Sequence, residues 1–222
     1  GPVSFRLLYS VPYPPVLEAL PTSPLSPRSA SVERAPAETR VSVEVHLDPV
    51  GTPAYDNATG VGFLDHMLDL FARHGRCGLT VRCDGDLHVD DHHTVEDVGI
   101  ALGQAFVQAL GDKAYIARYG QATVPMDEAL ARGVVDLSGR FYLVFDASFD
   151  RERVGDLSTE MVRHFWYSCA EQARCNLHLA VLYGGNDHHR IEALFKAAAR
   201  ALRDAVSRDP SGDRLPSTKE AL

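Results

Sequence analysis

The sequence predicts an α+β fold built from two internally duplicated βα half-domains, small sheets with paired helices packed as an α/β sandwich. Three observations carry that expectation. First, Asp91-His92-His93-Thr94-Val95-Glu96 is matched by Asp187-His188-His189-Arg190-Ile191-Glu192, and the alignment runs on without a gap to Leu110 and Val206. Second, each of these segments follows another helical stretch with one histidine: His66 in GFLDHMLDLFARHG, 26 residues before His92, and His164 in EMVRHFWYSCAEQA, 24 residues before His188. Third, short alternating segments, Leu79 to Arg82 and Leu177 to Leu182, lie between the helices of each half and read as strands.

Taken in chain order, residues 1–34 are rich in proline and serine and nearly free of acidic residues. They read as a leader: a tag scar at Gly1-Pro2, the remnant of an organelle transit peptide, or a disordered linker. TRVSVEVHL places Val41, Val43, Val45 and Leu47 on one face of a strand. The His66 helix ends near His74-Gly75, a dipole-favoured place for a histidine. The helix carrying His92 is expected to start from Asp91 as N-cap, and its counterpart from Asp187. Alanines recur every four residues in both, at Ala101, Ala105 and Ala109 and at Ala197, Ala201 and Ala205, a smooth stripe that would let two such helices approach closely. RFYLVFDA, near residue 145, reads as a further strand. The folded domain is expected to span 35–222, as repeats of about 35–115 and 116–210 followed by a C-terminal tail.

A chain of 222 residues with 45% hydrophobic content can bury a sizeable core. Its net charge of −8 leaves no basic stripe for a nucleic acid, so an anionic substrate would have to be met by local charge. No run of about 18 apolar residues occurs, so no membrane-spanning helix is expected. Cys77, Cys83, Cys169 and Cys175 match neither zinc spacing nor a secreted disulfide framework, and they read as free, mostly buried thiols in a reducing compartment.

Of ten histidines, six stand with two glutamates at repeat-related positions. On a helix His92 and Glu96 share a face, whereas His93 is turned about 100° from His92. Neighbouring histidines so oriented do not readily clasp one ion. Each HHxxE segment should therefore contribute to two metal centres, completed by His66 and His164. His66, His92, His93, Glu96, His164, His188, His189 and Glu192 supply four ligands for each of two ions. Imidazole and carboxylate without thiolate suit Mn, Fe or Zn, and the open positions left on an octahedral ion favour Mn. His46, His74, His88 and His178 have no partner in register and read as structural.

The strings GFLDHMLDLFARHG, DDHHTVEDVGIALGQA, YIARYGQATVPMDEAL, DLSGR, NDHHRIEALFKAAARAL and PSTKEAL resemble, in order, the signatures of the imidazoleglycerol-phosphate dehydratase family, from about Glu38 to Leu222. That resemblance implies a duplicated βα fold, trimers assembled into a 24-subunit cage, and two Mn(II) ions at each active site, shared between subunits. It implies the same eight metal ligands. It also implies phosphate contacts at Arg118, Arg140, Lys196, Ser217 and Lys219, and an acidic substrate-binding residue at Glu38. Two departures stand out: Leu70, where many relatives have Gln, and HFWYSCAEQARC in place of the commoner HFF version. Neither touches an expected ligand.

The implied reaction dehydrates D-erythro-imidazole glycerol phosphate to imidazole acetol phosphate in histidine biosynthesis. The proton leaves a carbon with no adjacent carbonyl, so the imidazole ring must serve as electron sink. Held as imidazolate between two Lewis-acidic cations, it can expel the C3 hydroxyl through a diazafulvene-like intermediate, lose the C2 proton, and yield an enol that tautomerises. Glu38 is the candidate catalytic proton shuttle. Lys219 lies in a tail that could close as a lid. A binuclear metallohydrolase and a non-catalytic metal-binding cage are the competing readings, and plastid or cytoplasm the expected compartment.

Overall fold

The computed structural model describes residues 26–209. The first half comprises β1 (Ser29–Arg34), β2 (Thr39–His46), β3 (Tyr55–Ala58), α1 (Gly62–Gly75), β4 (Gly78–Gly85) and α2 (His92–Leu110). The second comprises β5 (Tyr119–Met126), β6 (Ala129–Asp136), β7 (Tyr142–Asp146), a small hairpin of β8 (Arg153–Val154) and β9 (Leu157–Ser158), then α3 (Glu160–Ala173), β10 (Asn176–Tyr183) and α4 (Asp187–Val206). The two main sheets have the orders β1-β2-β4-β3 and β5-β6-β10-β7. In each, the third strand in order is antiparallel to the second and parallel to the fourth. The duplication expected from the HHxxE repeat is thus a duplication of topology.

The strands follow from side-chain alternation. Val41, Val43 and Val45 of β2 are all buried, facing the helices, while the residues between them are more exposed. α2 packs on β1, β2 and β4, and α4 on β5, β6 and β10, while α2 also packs against α3 and α1 against α4. The four helices form one layer between two sheets, a sandwich with a single continuous core.

Small residues set the spacing in that layer. On α2, Gly99 and Gly103 face the α3 backbone: an added Cβ would lie 2.8 Å from the Phe165 carbonyl oxygen and 2.4 Å from that of Cys169. The alanine stripe of α4 lies against a sheet rather than another helix, because Gly120 of β5 and Gly133 of β6 abut the backbone at Ala201 and Ala197. The expectation that alanines bring two helices together is corrected accordingly; glycines do so in the α2–α3 pair.

α1 and α3 end alike. Arg76 and Arg174 adopt left-handed φ of 52° and 51°, and the next residues, Cys77 and Cys175, donate their N–H groups to Ala72 and Ala170. Both cysteines are the buried apolar residue that follows such a cap. All four cysteines are free, and burial pushes the Cys77 and Cys175 thiols up to about 12.

Three sequence expectations are corrected. β1 occupies Ser29–Arg34, so the folded region begins inside the stretch read as a leader, whose first 25 residues lie outside the described residues. Asp91 precedes α2 but its side chain makes no cap hydrogen bond; Asp90 accepts from the His92 N–H at 2.9 Å instead. Asp187 sits in the first turn of α4, and Asn186 is the cap, accepting from the N–H groups of His188 and His189.

Candidate metal centre

The aspartates that do not cap have another use. Asp91 accepts from Ser158 N at 2.6 Å and Ser158 Oγ at 2.7 Å, and Asp187 from Asp150 N at 3.0 Å and Arg151 N at 2.8 Å. From the same segment, Asp156 accepts from Gly62 N at 2.6 Å and Phe63 N at 3.0 Å, capping α1 in place of the apolar Val61. Residues 150–158 therefore tie together the N-terminal ends of α1, α2 and α4 and run directly into α3. Those ends carry His66, the two HHxxE segments and His164.

Two groups of potential ligands result, each assembled across the repeats. His66 of α1 meets His188 and Glu192 of α4; His164 of α3 meets His92 and Glu96 of α2. Within each group the donor atoms lie within 4.8 Å of one another. Donors bound to one first-row ion at roughly 2.1 Å stand about 3–4 Å apart, so small side-chain adjustments suffice to enclose an ion. The donors are imidazole nitrogen and carboxylate oxygen, and the residues fit a divalent cation of intermediate hardness.

The groups differ in their surroundings. Glu192 is buried, 3.1 Å from His188 Nε2, with its other oxygen 2.5 Å from Lys196 Nζ. Burial pushes its carboxyl up, but the bonds and charges of Lys196 and His188 outweigh that and hold it below the ordinary value. Glu96 bonds His164 Nε2 at 3.0 Å, and Ile100 stands where the repeat would place a lysine.

His93 and His189 join neither group among the described residues. His93 Nδ1 lies 3.0 Å from Asp86 Oδ2, and His189 Nδ1 lies 2.7 Å from Glu128 Oε2. Each contact raises the histidine above its usual value, and the His189 bond leads the backbone N–H groups in bringing Glu128 down to about 2. The residues that contact these two ungrouped histidines, Asp86 and Glu128, escaped the sequence reading. For Glu128 the signal is strand register, which becomes visible only once β2 and β6 are aligned.

Of the expected substrate residues, Lys196 is engaged with Glu192 one turn along α4. Arg118, at a left-handed φ of 68°, pairs with Asp136 at 2.7 Å and stacks over Tyr119. Arg140 is exposed in the loop between β6 and β7. Glu38 is exposed at the start of β2, close enough for its charge to help raise His93. Ser217 and Lys219 lie outside the described residues. His46, His74, His88 and His178 join no ligand group among the described residues, and His46 is paired with Glu44.

A family model described as imidazoleglycerol-phosphate dehydratase matches residues 59–202, the span from just before α1 into the last turns of α4. The chain belongs to the imidazoleglycerol-phosphate dehydratase family. The Salinibacter ruber imidazoleglycerol-phosphate dehydratase is 65% identical over 201 residues, covering 90% of this chain and 98% of the relative, and that of Streptococcus mutans is 55% identical over 195 residues, covering 88% and 100%. Among solved structures, the Staphylococcus aureus dehydratase superposes with a TM-score of 0.73 at 42% identity, covering 81% of this chain and 99% of that one. The Pyrococcus furiosus enzyme in complex with (S)-C348 does so with a TM-score of 0.74 at 32% identity, covering 86% and 100%. Membership decides for a hydro-lyase of histidine biosynthesis over the hydrolase and storage-cage readings. No helix of the described residues is long and apolar enough to cross a membrane.

Proposed function

We propose that this imidazoleglycerol-phosphate dehydratase family member acts on D-erythro-imidazole glycerol phosphate, giving imidazole acetol phosphate, at a two-Mn(II) centre whose ligands come from more than one copy of the chain. The observation that carries the reading is the pair of three-donor groups, each one donor short of four, beside two further histidines that stand apart. His66, His188 and Glu192 would hold one ion, His92, Glu96 and His164 the other. His93 and His189 would each supply the fourth ligand to a group on another copy. Such sharing makes self-association a requirement of the site, in the 24-subunit arrangement of trimers that the family resemblance implies.

When bound, the two cations would act as Lewis acids that hold the substrate ring and stabilise its deprotonated form. The chain's own residues do the rest. Glu38, exposed beside His93, would take up the C2 proton. Arg118, Arg140, Lys196, Ser217 and Lys219 would bind the phosphate, with Arg118 preset by Asp136. The clustered helix N-termini would keep the ring and glycerol chain in one orientation throughout. Four free thiols favour a reducing compartment, cytoplasm or plastid stroma.

The test is turnover of imidazole glycerol phosphate by protein stripped of metal and reloaded with Mn(II), beside His92→Ala. Product that depends on Mn(II) and disappears in the variant is expected. A folded, Mn-loaded wild-type protein that leaves the substrate untouched would overturn the proposal.

A further inference from the structure

Strand register brings out a second duplication. Val41, Val43 and Val45 pair with Cys83, Val81 and Leu79 in the first sheet, as Ala131, Gly133 and Val135 pair with Val181, Leu179 and Leu177 in the second. Counting back along each strand aligns Thr39 with Ala129 and Glu38 with Glu128. The two glutamates occupy one position in the repeat, directly ahead of β2 and β6, yet their surroundings differ. Glu38 is exposed and makes no hydrogen bond among the described residues. Glu128 spends both oxygens: Oε1 accepts from Asn186 N at 2.8 Å and Gly185 N at 3.2 Å, and Oε2 meets His189 Nδ1 at 2.7 Å.

We propose that Glu128 is a positioning residue that fixes the ring and tautomer of His189 for metal binding, while Asp86 does the same for His93 and so leaves Glu38 unpinned for substrate. The proposal rests on the two-metal reading above. An ionised carboxylate can only accept, so in the neutral ring the proton of His189 sits on Nδ1, and Nε2, which faces Asp127 Oδ2 at 3.7 Å, keeps the bare lone pair a cation requires. The same carboxylate anchors the backbone just ahead of α4, where Asn186 caps the N–H groups of His188 and His189. Ring, tautomer and helix start are thereby set from one point in the β5–β6 turn. In the other half the orienting carboxylate is Asp86, which follows β4 and lies 3.0 Å and 3.2 Å from His93 Nδ1 through its two oxygens. With His93 so held, the counterpart of Glu128 has no orienting task.

Glu128→Gln is a sharp probe because it keeps size and one acceptor. If the amide oxygen stays on the Gly185 and Asn186 N–H groups, the NH2 faces His189 Nδ1 and selects the tautomer protonated at Nε2, which cannot ligate. Mn(II) affinity, measured by chelator competition on the whole assembled protein, should fall roughly 10–100-fold. Thermal unfolding of the metal-free variant should match wild type, which separates positioning from a merely structural role. Glu38→Gln should bind Mn(II) with wild-type affinity. His189→Ala is the reference and should lose metal. If His189→Ala loses metal but Glu128→Gln binds as wild type, the positioning role is overturned and the metal reading stands; if His189→Ala also binds as wild type, the two-metal reading on which it rests is overturned.

Discussion

Gly120→Ala should damage this protein far more than a single methyl suggests. The added Cβ would lie 1.9 Å from the Ala201 carbonyl oxygen, 2.7 Å from Ala205 N and 2.9 Å from the Ala201 carbonyl carbon, all of them backbone atoms of α4. No side chain can rotate away, so β5 and α4 must separate by about 1 Å or more in a close-packed interior. Overpacking typically costs about 1–3 kcal/mol, and a clash borne wholly by backbone places this case at about 3 kcal/mol or above. For a domain of this size each kcal/mol moves the melting temperature by about 2–4 °C, giving a drop of about 6–12 °C. Calorimetry of metal-free protein at fixed concentration measures it, since assembly makes melting concentration-dependent. Gly111→Ala is the control: its φ of 57° and ψ of −124° strain any side chain, but nothing lies within 4 Å, so backbone strain alone, about 1–3 kcal/mol, is expected with no separation of β5 from α4. Because α4 carries His189 and β5 leads into the turn bearing Glu128, Gly120→Ala should also weaken Mn(II) binding. A Gly120→Ala protein melting within about 2 °C of wild type would refute the packing argument.

Two further outcomes follow from polar groups. Asp48 accepts three bonds from Arg28 and one from Arg208, joining the chain just ahead of β1 to the segment after α4. Burial pushes its carboxyl up, but the bonds from Arg28 prevail and hold it below the ordinary value. A lowered folded value means stability that is present above the unfolded value, about 3.9, and lost as pH falls through the folded one. Asp48→Asn should therefore cost about 1–2 kcal/mol at neutral pH, and the gap should close in melts below about pH 4; a gap independent of pH would contradict this. Trp166 is 3% exposed and its Nε1 has no partner among the described residues. Trp166→Phe removes a stranded donor worth about 1–3 kcal/mol and leaves a cavity of comparable cost, so its melting temperature should stay within about 4 °C of wild type, whereas a drop beyond 10 °C would mean that the indole N–H is satisfied.

Much of this architecture was legible because the chain states it twice. Spacing alone marked His66 and His164 as repeat counterparts ahead of His92 and His188, but it set each beside the partner in its own half, whereas the ligand groups cross the repeats, His66 with His188 and His164 with His92. The buried valines of β2 showed the alternation of a half-buried strand. β5 and β6 gave a weaker signal, since Gly120, Pro125 and Gly133 lower strand propensity while the two glycines admit α4. β1 was hidden by its proline- and serine-rich approach, and its pairing with β2 is a nonlocal contact. The misplaced caps have a related cause: Asp91 and Asp187 are chemically good caps, but their carboxylates are drawn to the 150–158 segment, which sequence alone does not bring near. Glu128 could not be found by motif because its partner His189 is 61 residues away.

The central claim is that each metal is enclosed by ligands from more than one copy. It is tested most directly by co-expressing His66→Ala with His189→Ala, each expected to be inactive alone, and assaying the mixed assemblies with Mn(II) and imidazole glycerol phosphate. Partial turnover is predicted, since some sites would combine an intact His66 group from one chain with an intact His189 from the other. Mixed assemblies that form, bind Mn(II) and yet produce nothing would place all the ligands of each site on a single chain and contradict the account.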